Sequence, residues 1–288
     1  MVDGRPRPPP IVSSTIQALR SNRQTILMSL SFVRKPSLVA YLTCGDPNLA
    51  TTRDIVLAAI DAGAAVIELG VPFSDPLADG PVIQRASERA LRQGTTLEQV
   101  LALAQEIRRQ SSVGVIVFTY FNPVLRMGLE TFAAGVADAG IDGALITDLP
   151  VEEAGTYLRE MRQRNLATVF LAAPTSSESR LKQIVQASSG FVYAVSRAGV
   201  TGARKHLTDD AQKLVRRLRR HSPLPIAVGF GISTAEQFAA VGKFAEAAAV
   251  GSAIVETIER NPGKEPESVA QFIEQLLVVR RDSPVASP

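Results

Sequence analysis

Two carboxylates stand out by their surroundings. Glu68 lies in Ala64-Ala-Val-Ile-Glu-Leu-Gly70, an otherwise apolar run. On a strand it shares a face with Val66. A carboxyl among such neighbours loses hydration, which raises its pKa and suits a group that both gives and takes a proton. The competing reading is a satisfied ion pair or a rim residue. Asp79 lies in Val71-Pro-Phe-Ser-Asp-Pro-Leu-Ala-Asp-Gly-Pro81, where three prolines and two aspartates make a rigid polar loop. Such a loop can hold a carboxylate in a catalytic position. Pro81 suits the first turn of a helix, so Asp79 also reads as an N-cap. Asp75 has the same ambiguity, with a turn role favoured. Tyr120 and Asn122 in Thr119-Tyr-Phe-Asn-Pro123, Asp148 in Thr147-Asp-Leu-Pro150, and Tyr193 are further polar candidates. Each also reads as a buried polar group satisfied inside the protein.

Three glycine clusters crowd the C-terminal half: Gly199-Val-Thr-Gly202, Gly229-Phe-Gly231 and Gly251-Ser252. The last two each follow a short apolar run. Backbone N–H groups there, with the N-terminus of a short helix over Ser252–Glu259, would form a phosphate cradle. The Ser252 hydroxyl and amide can both donate to it. The alternative, tight-turn glycine, accounts less well for the order strand, Gly-Ser, short helix. A single cysteine, Cys44, rules out an internal disulfide framework, and two histidines, His206 and His221, leave little for a metal centre. No metal site is therefore expected.

These residues need elements to position them. Eight short apolar runs read as strands: Leu38–Thr43, Ala65–Leu69, Gly114–Thr119, Ala144–Thr147, Ala167–Leu171, Phe191–Val195, Ile226–Phe230 and Ala247–Val250. Amphipathic stretches alternate with them. Thr95 with Glu98, Thr175 with Glu178 and Ser233 with Glu236 read as capping boxes. Gly94 and Gly140 read as left-handed helix ends. Leu207–Arg220 reads as a helix with a basic, solvated face, and Ser268–Val279 as the final helix. Eight such units define an α/β protein, a (β/α)8 TIM barrel, as a single domain with an extra short helix after strand 8. The rival open sheet predicts a Gly-x-Gly-x-x-Gly turn after the first strand, where Leu42-Thr-Cys-Gly-Asp-Pro47 stands instead. The sixth strand carries no lysine, which argues against a Schiff-base aldolase. Nor is nucleotide redox chemistry indicated. The residues by themselves lead to a barrel acting on a phosphorylated small substrate with one or two acid–base carboxylates.

At 288 residues the chain fits one such barrel. Its net charge of +3 is uneven. Residues 1–36 hold six basic groups and one acid, leaving 25 basic and 27 acidic groups for the rest. The body is near neutral, so the pI gives no case for nucleic acid. No apolar run approaches the roughly 20 residues of a membrane span. The expected organisation is a basic, proline-rich extension over 1–25, a barrel over 26–280 and a flexible tail over 281–288. Three readings stay open for the arm: a disordered extension, a misassigned start, or an organelle-targeting peptide. The expected location is the cytoplasm, or a plastid under the third reading.

Taken together, the motifs resemble the alpha chain of tryptophan synthase. The resemblance rests on Leu42-Thr-Cys-Gly-Asp-Pro47, Glu68-Leu-Gly-Val-Pro-Phe-Ser-Asp-Pro-Leu-Ala-Asp-Gly-Pro81, Thr119-Tyr-Phe-Asn-Pro123, Ser196-Arg-Ala-Gly-Val-Thr-Gly202, Gly229-Phe-Gly-Ile-Ser233 and Val250-Gly-Ser-Ala-Ile254. These stand in the family order from residue 38 to about 280, and the second is the most specific. The resemblance implies a lyase that cleaves indole-3-glycerol phosphate to indole and glyceraldehyde 3-phosphate. It implies that Glu68 is the general acid/base and Asp79 the carboxylate at the indole N–H. Tyr41, Ile83, Phe118, Tyr120, Tyr193, Thr201 and Phe230 would form the substrate pocket. Gly202, Gly231, Gly251 and Ser252 would hold the phosphate. Thr201 would sit in a loop that closes over substrate.

The same resemblance implies no cofactor in this chain. Pyridoxal phosphate belongs to a partner beta chain, in an alpha-beta-beta-alpha tetramer through which indole passes. The segments around Asp75 and Pro76, and around Asn122 and Pro123, resemble partner-facing regions. One region departs: the family opens with an amphipathic helix plugging the barrel bottom, and Ile26–Phe32 has apolar residues without the charged pattern. The alternatives are another phosphate-binding barrel enzyme, a stand-alone indole-releasing lyase, and a non-catalytic subunit that activates a beta partner. The first predicts lysines at strand ends. The last does not require both Glu68 and Asp79.

Overall fold

Short apolar runs become strands here because both their faces meet protein, the barrel interior on one side and helices on the other. The computed structural model describes residues 30, 32–195, 204–229 and 231–278. The arm over 1–25 and the tail over 281–288 therefore lie outside the described residues, as do Thr201, Gly202 and Phe230. The strands are β1 (Ser37–Thr43), β2 (Val66–Gly70), β3 (Gly114–Thr119), β4 (Gly143–Ile146), β5 (Ala167–Ala172), β6 (Val192–Val195), β7 (Ile226–Gly229) and β8 (Ala247–Val250). They pair in parallel in chain order, and β1 closes on β8 from Ser37↔Ala247 to Ala40↔Val250. The expected (β/α)8 barrel is what forms.

Around it, among the described residues, stand α1 (Leu49–Asp61), α2 (Pro81–Arg92), α3 (Leu97–Arg108), α4 (Phe121–Met127), α5 (Leu129–Asp138), α6 (Gly155–Gln163), α7 (Glu178–Ala187), α8 (Arg204–Arg219), α9 (Ala235–Val241), α10 (Ser252–Arg260) and α11 (Glu265–Val278). Helix α10 is the extra short helix after strand 8. The final helix starts three residues earlier than its periodicity suggests. The basic face of α8 is less solvated than expected: Arg217 donates to the carbonyls of Pro174 and Ser176 and to Glu178.

The caps sit away from the expected residues. Thr96, not Thr95, caps α3: its hydroxyl accepts from Gln99 N, and Gln99 Oε1 accepts from Thr96 N at 3.0 Å. Thr95 is buried instead, its hydroxyl packed against Gly45 at φ +88°. Thr234 with Gln237 likewise replaces Ser233 with Glu236, and Ser177 replaces Thr175. Spacing alone cannot separate adjacent hydroxyls; the one whose backbone is extended at the helix start wins. Gly94 and Gly140 do take the left-handed conformation, at φ +77° and +69°.

The barrel is filled by side chains. Val39, Val66, Ile116, Leu145, Val169, Phe191 and the small Ala227, Ala247 and Ala249 make its interior layer. Leu30 joins that layer, and Phe32 packs edge-on against Phe191, with 5.5 Å between ring centroids. Of the apolar stretch 26–32, these two described residues close the barrel from below. With the lower layer occupied by hydrocarbon, the polar inward positions lie nearer the C-terminal ends of the strands.

Candidate active site

Glu68 follows Val66 at a spacing of two on β2, so it points inward one layer above the apolar filling. It is 0% exposed, and neither carboxyl oxygen has a hydrogen-bond partner among the described residues. Buried polar atoms are normally paired, so an orphaned carboxyl points to an absent partner such as substrate. Burial pushes its pKa up to about 8. The rim reading therefore fails, and Glu68 forms no ion pair among the described residues.

Asp79 is held by a tight turn, its N–H bonded to the Pro76 carbonyl at 3.0 Å. It is not the N-cap of α2: Gly80 occupies that position with no side-chain cap, and Pro81 follows. Tyr120 donates its hydroxyl to Asp79 Oδ2 at 3.1 Å and accepts from Ala78 N at 3.0 Å. Partial burial raises Asp79 to about 6, and the Tyr120 bond opposes that rise. Phe73 stacks on the Tyr120 ring at 4.9 Å, which fixes the phenol. Asp75, by contrast, is exposed and accepts from Ser74 Oγ at 2.6 Å, a turn role. Asp148 accepts from Phe121 N at 2.6 Å at the start of α4, where Asn122 is exposed. Neither Asp148 nor Asn122 joins the two carboxylates.

Tyr41 pairs with Glu68 in the strand register and feels the charge of both Asp79 and Glu68. It packs edge-on against Phe118 at 5.0 Å. Ile83 and Val82 of α2 and Val255 of α10 complete this apolar wall. Tyr193 on β6 lies in the field of Glu68 and Tyr41, and burial raises its pKa. Of the expected pocket residues, Tyr41, Ile83, Phe118, Tyr120 and Tyr193 are thus brought to one region beside the carboxylates. Two glycines house the tyrosine hydroxyls. A Cβ on Gly70 would sit 2.4 Å from the Tyr41 hydroxyl oxygen, and one on Gly229 would sit 2.5 Å from that of Tyr193. Sequence reasoning missed these roles, together with Thr43, whose hydroxyl meets that of Tyr41 at 3.4 Å, and Phe73. No local signal in the chain marks any of them.

The phosphate candidates converge through the sheet. Gly229 pairs with Ala249, so Gly231 and Gly251 each lie two residues beyond one rung of β7 and β8. Gly231 has φ +39°. Gly251 is the N-cap of α10 and provides no side-chain cap, leaving first-turn N–H groups at Ser252 and beyond for a ligand. A separate depression of about 550 Å³ opens beside β4 and β5, lined by residues including Asp148, Leu171, Ser176 and Arg180. It contains neither Glu68 nor Asp79. Among the described residues, no group of three His, Cys, Asp or Glu side chains could hold a metal ion.

Fold and site together define the class: a (β/α)8 barrel with two desolvated carboxyl groups at its C-terminal mouth. A family model described as tryptophan synthase alpha chain matches residues 28–282, and the chain belongs to that family of lyases. The alpha chain of Solibacter usitatus is 53% identical over 227 residues, covering 79% of this chain and 85% of that one. The alpha chain of Marinobacter nauticus is 43% identical over 264 residues, covering 91% and 97%. A chain of the tryptophan synthase complex from Pyrococcus furiosus superposes with a TM-score of 0.78 at 38% identity, covering 85% of this chain and 99% of its own. The activity is that of the alpha subunit, cleavage of indole-3-glycerol phosphate to indole and glyceraldehyde 3-phosphate.

Proposed function

We propose that Glu68 and Asp79 carry this cleavage, Glu68 as general acid and then base, and Asp79 as the carboxylate that stabilises the charged ring. The single observation behind the reading is the buried Glu68 carboxyl, whose two oxygens have no hydrogen-bond partner among the described residues. A neutral indole is a poor leaving group. A protonated acid over C3 makes that carbon tetrahedral and leaves the ring cationic. Glu68, raised to about 8, is protonated at neutral pH, whereas Asp79, raised only to about 6, is ionised. An anion at the ring N–H favours the cation. The Glu68 carboxylate left behind then takes the glycerol hydroxyl proton. The C–C bond breaks, its electrons return to the ring, and Glu68 ends protonated as it began.

The phosphate end fits Gly231, Gly251 and Ser252 at the N-terminus of α10; Gly202 and Thr201 belong to the same reading by resemblance. Family membership implies a beta-chain partner. The finer proposal is an alpha-beta-beta-alpha tetramer with pyridoxal phosphate on the beta chain and indole passed to it. Leu77 is 94% exposed in the Asp75–Pro76 loop, and Leu125 is exposed beside Asn122 and Pro123; both suit a partner-facing surface.

The test follows indole release from indole-3-glycerol phosphate by the chain alone and with a tryptophan synthase beta chain. Slow release that rises sharply with the partner is expected; no release in either case overturns the reading. Glu68→Gln is expected to lower kcat by at least about a hundredfold while substrate still binds. A near-parental rate would remove Glu68 from the chemistry. Ser252→Ala is expected to weaken substrate binding by about 1 kcal/mol, and an unchanged Kd would count against the cradle.

A further inference from the structure

We propose that Arg89 is a positioning residue, whose guanidinium fixes the helix carrying the Asp79 loop against the helix whose N-terminus faces the phosphate. The inference rests on the reading of Asp79 given above.

The three pocket walls come from separate βα units. Tyr41 stands on β1, Asp79 lies two residues before α2, and Ser252 begins α10. On the pocket side, Ala86, Val82 and Ile83 of α2 pack with Tyr41 and with Val255 of α10. That apolar contact tolerates sliding and rotation, because dispersion and hydrophobic contacts have no direction. A directional fastening lies on the same two helices.

All three nitrogens of the Arg89 guanidinium are engaged. Nε and Nη2 donate to the two oxygens of Asp46 at 2.7 and 2.8 Å, and Nη1 donates to Glu259 at 2.8 Å. Arg85, one turn earlier, makes its own fork to Glu259 at 2.9 and 2.7 Å. Asp46 is 2% exposed and lies in the loop after β1. One cation thus joins the β1 loop, α2 and α10. The hold extends to the site loop, since Gln84 Nε2 donates to the Asp79 carbonyl at 2.9 Å. Arg85 and Arg89 together draw the Glu259 carboxyl down to about 2, so it stays charged across the working range.

A buried ion pair returns little net stability against a well-packed apolar replacement. What the planar fork supplies is direction: two parallel bonds to one carboxylate fix rotation as well as distance. If α2 turned about its axis, Asp79 and Ile83 would move relative to Ser252. A substrate held at its phosphate would then present its ring to a misplaced carboxylate.

The test is a double-mutant cycle on the full chain, measured well below each variant's Tm, with a beta chain present. Arg89→Lys keeps the charge and loses the fork. It is expected to lower kcat/KM for indole-3-glycerol phosphate roughly tenfold, mainly in kcat, as displacement of a reacting group does. In an Asp79→Asn background the same substitution is expected to lower the residual rate by less than about twofold, because its effect runs through Asp79. A lowered Tm with unchanged kcat and KM would overturn the proposal, reducing Arg89 to a structural role. Equal losses in both backgrounds would overturn it too. If Arg89→Lys does not fold, Glu259→Ala removes the link to α10 and leaves Arg89 on Asp46; the same pattern, at least about threefold in the parent background, is then expected. Should Asp79→Asn itself retain the parental rate, the reading of Asp79 fails first and the proposal falls with it.

Discussion

Glu68 and Asp79 carry the same functional group, and their surroundings separate them. Complete burial takes Glu68 to about 8; partial burial against a phenolic donor leaves Asp79 at about 6. The proposed roles need the first protonated and the second ionised. Below about 6 Asp79 takes up its proton, and above about 8 Glu68 loses its own, so kcat/KM should be bell-shaped with limbs near those values. A profile flat from pH 5 to 9 would contradict the assignment. Tyr120→Phe sharpens the test. Its hydroxyl lowers the Asp79 pKa, so removing it should move the acid limb to higher pH and leave the alkaline limb in place.

At the level of elements, the strand ends do the positioning. Period-two alternation puts Val66 in the filled interior and Glu68 in the layer above it. The next inward position, Gly70, has no side chain, and the Tyr41 hydroxyl occupies that space; Gly229 does the same for Tyr193. Gly229→Ala should therefore force the Tyr193 ring to shift. Overpacking of this kind destabilises by roughly 1–3 kcal/mol, measurable by urea unfolding. A fall in kcat/KM should accompany it, because Tyr193 sits in the field of Glu68. Unchanged stability and rate would mean that the ring has room not evident in the packing.

The whole molecule bears the thermodynamic consequence of hiding Glu68. The folded state holds this proton more tightly than the unfolded chain, whose ordinary value is near 4.5. The contribution to stability is fully present below that value and is lost as pH rises through about 8. Glu68→Gln removes the titration. Its stability relative to the parent should thus increase steadily between about pH 5 and about pH 8, read as the unfolding midpoint in urea at each pH. A difference independent of pH would mean that Glu68 is not desolvated in the folded protein. The ion-pair link at Arg89 belongs to this scale as well, because it joins residues as far apart in the chain as Asp46 and Glu259.

The sequence by itself determined the eight strands, their order and the two carboxylates, because these are local signals. A strand buried on both faces must be apolar, and a lone Glu within one is conspicuous whatever surrounds it. Asp79 and the Gly-Ser entry to α10 were legible for the same reason, as short motifs whose backbone needs are written in their residues. The choice among adjacent hydroxyls as caps was not, since Thr95 is diverted by Gly45, a residue fifty positions away. Only the tertiary structure decided that Tyr120 reaches Asp79, that Gly70 and Gly229 make room for tyrosine hydroxyls, and that Arg89 spans Asp46 and Glu259. Each of these is a distance between atoms far apart in the chain. Such distances are set by barrel closure, which acts on all eight strands together and leaves no trace in any one segment.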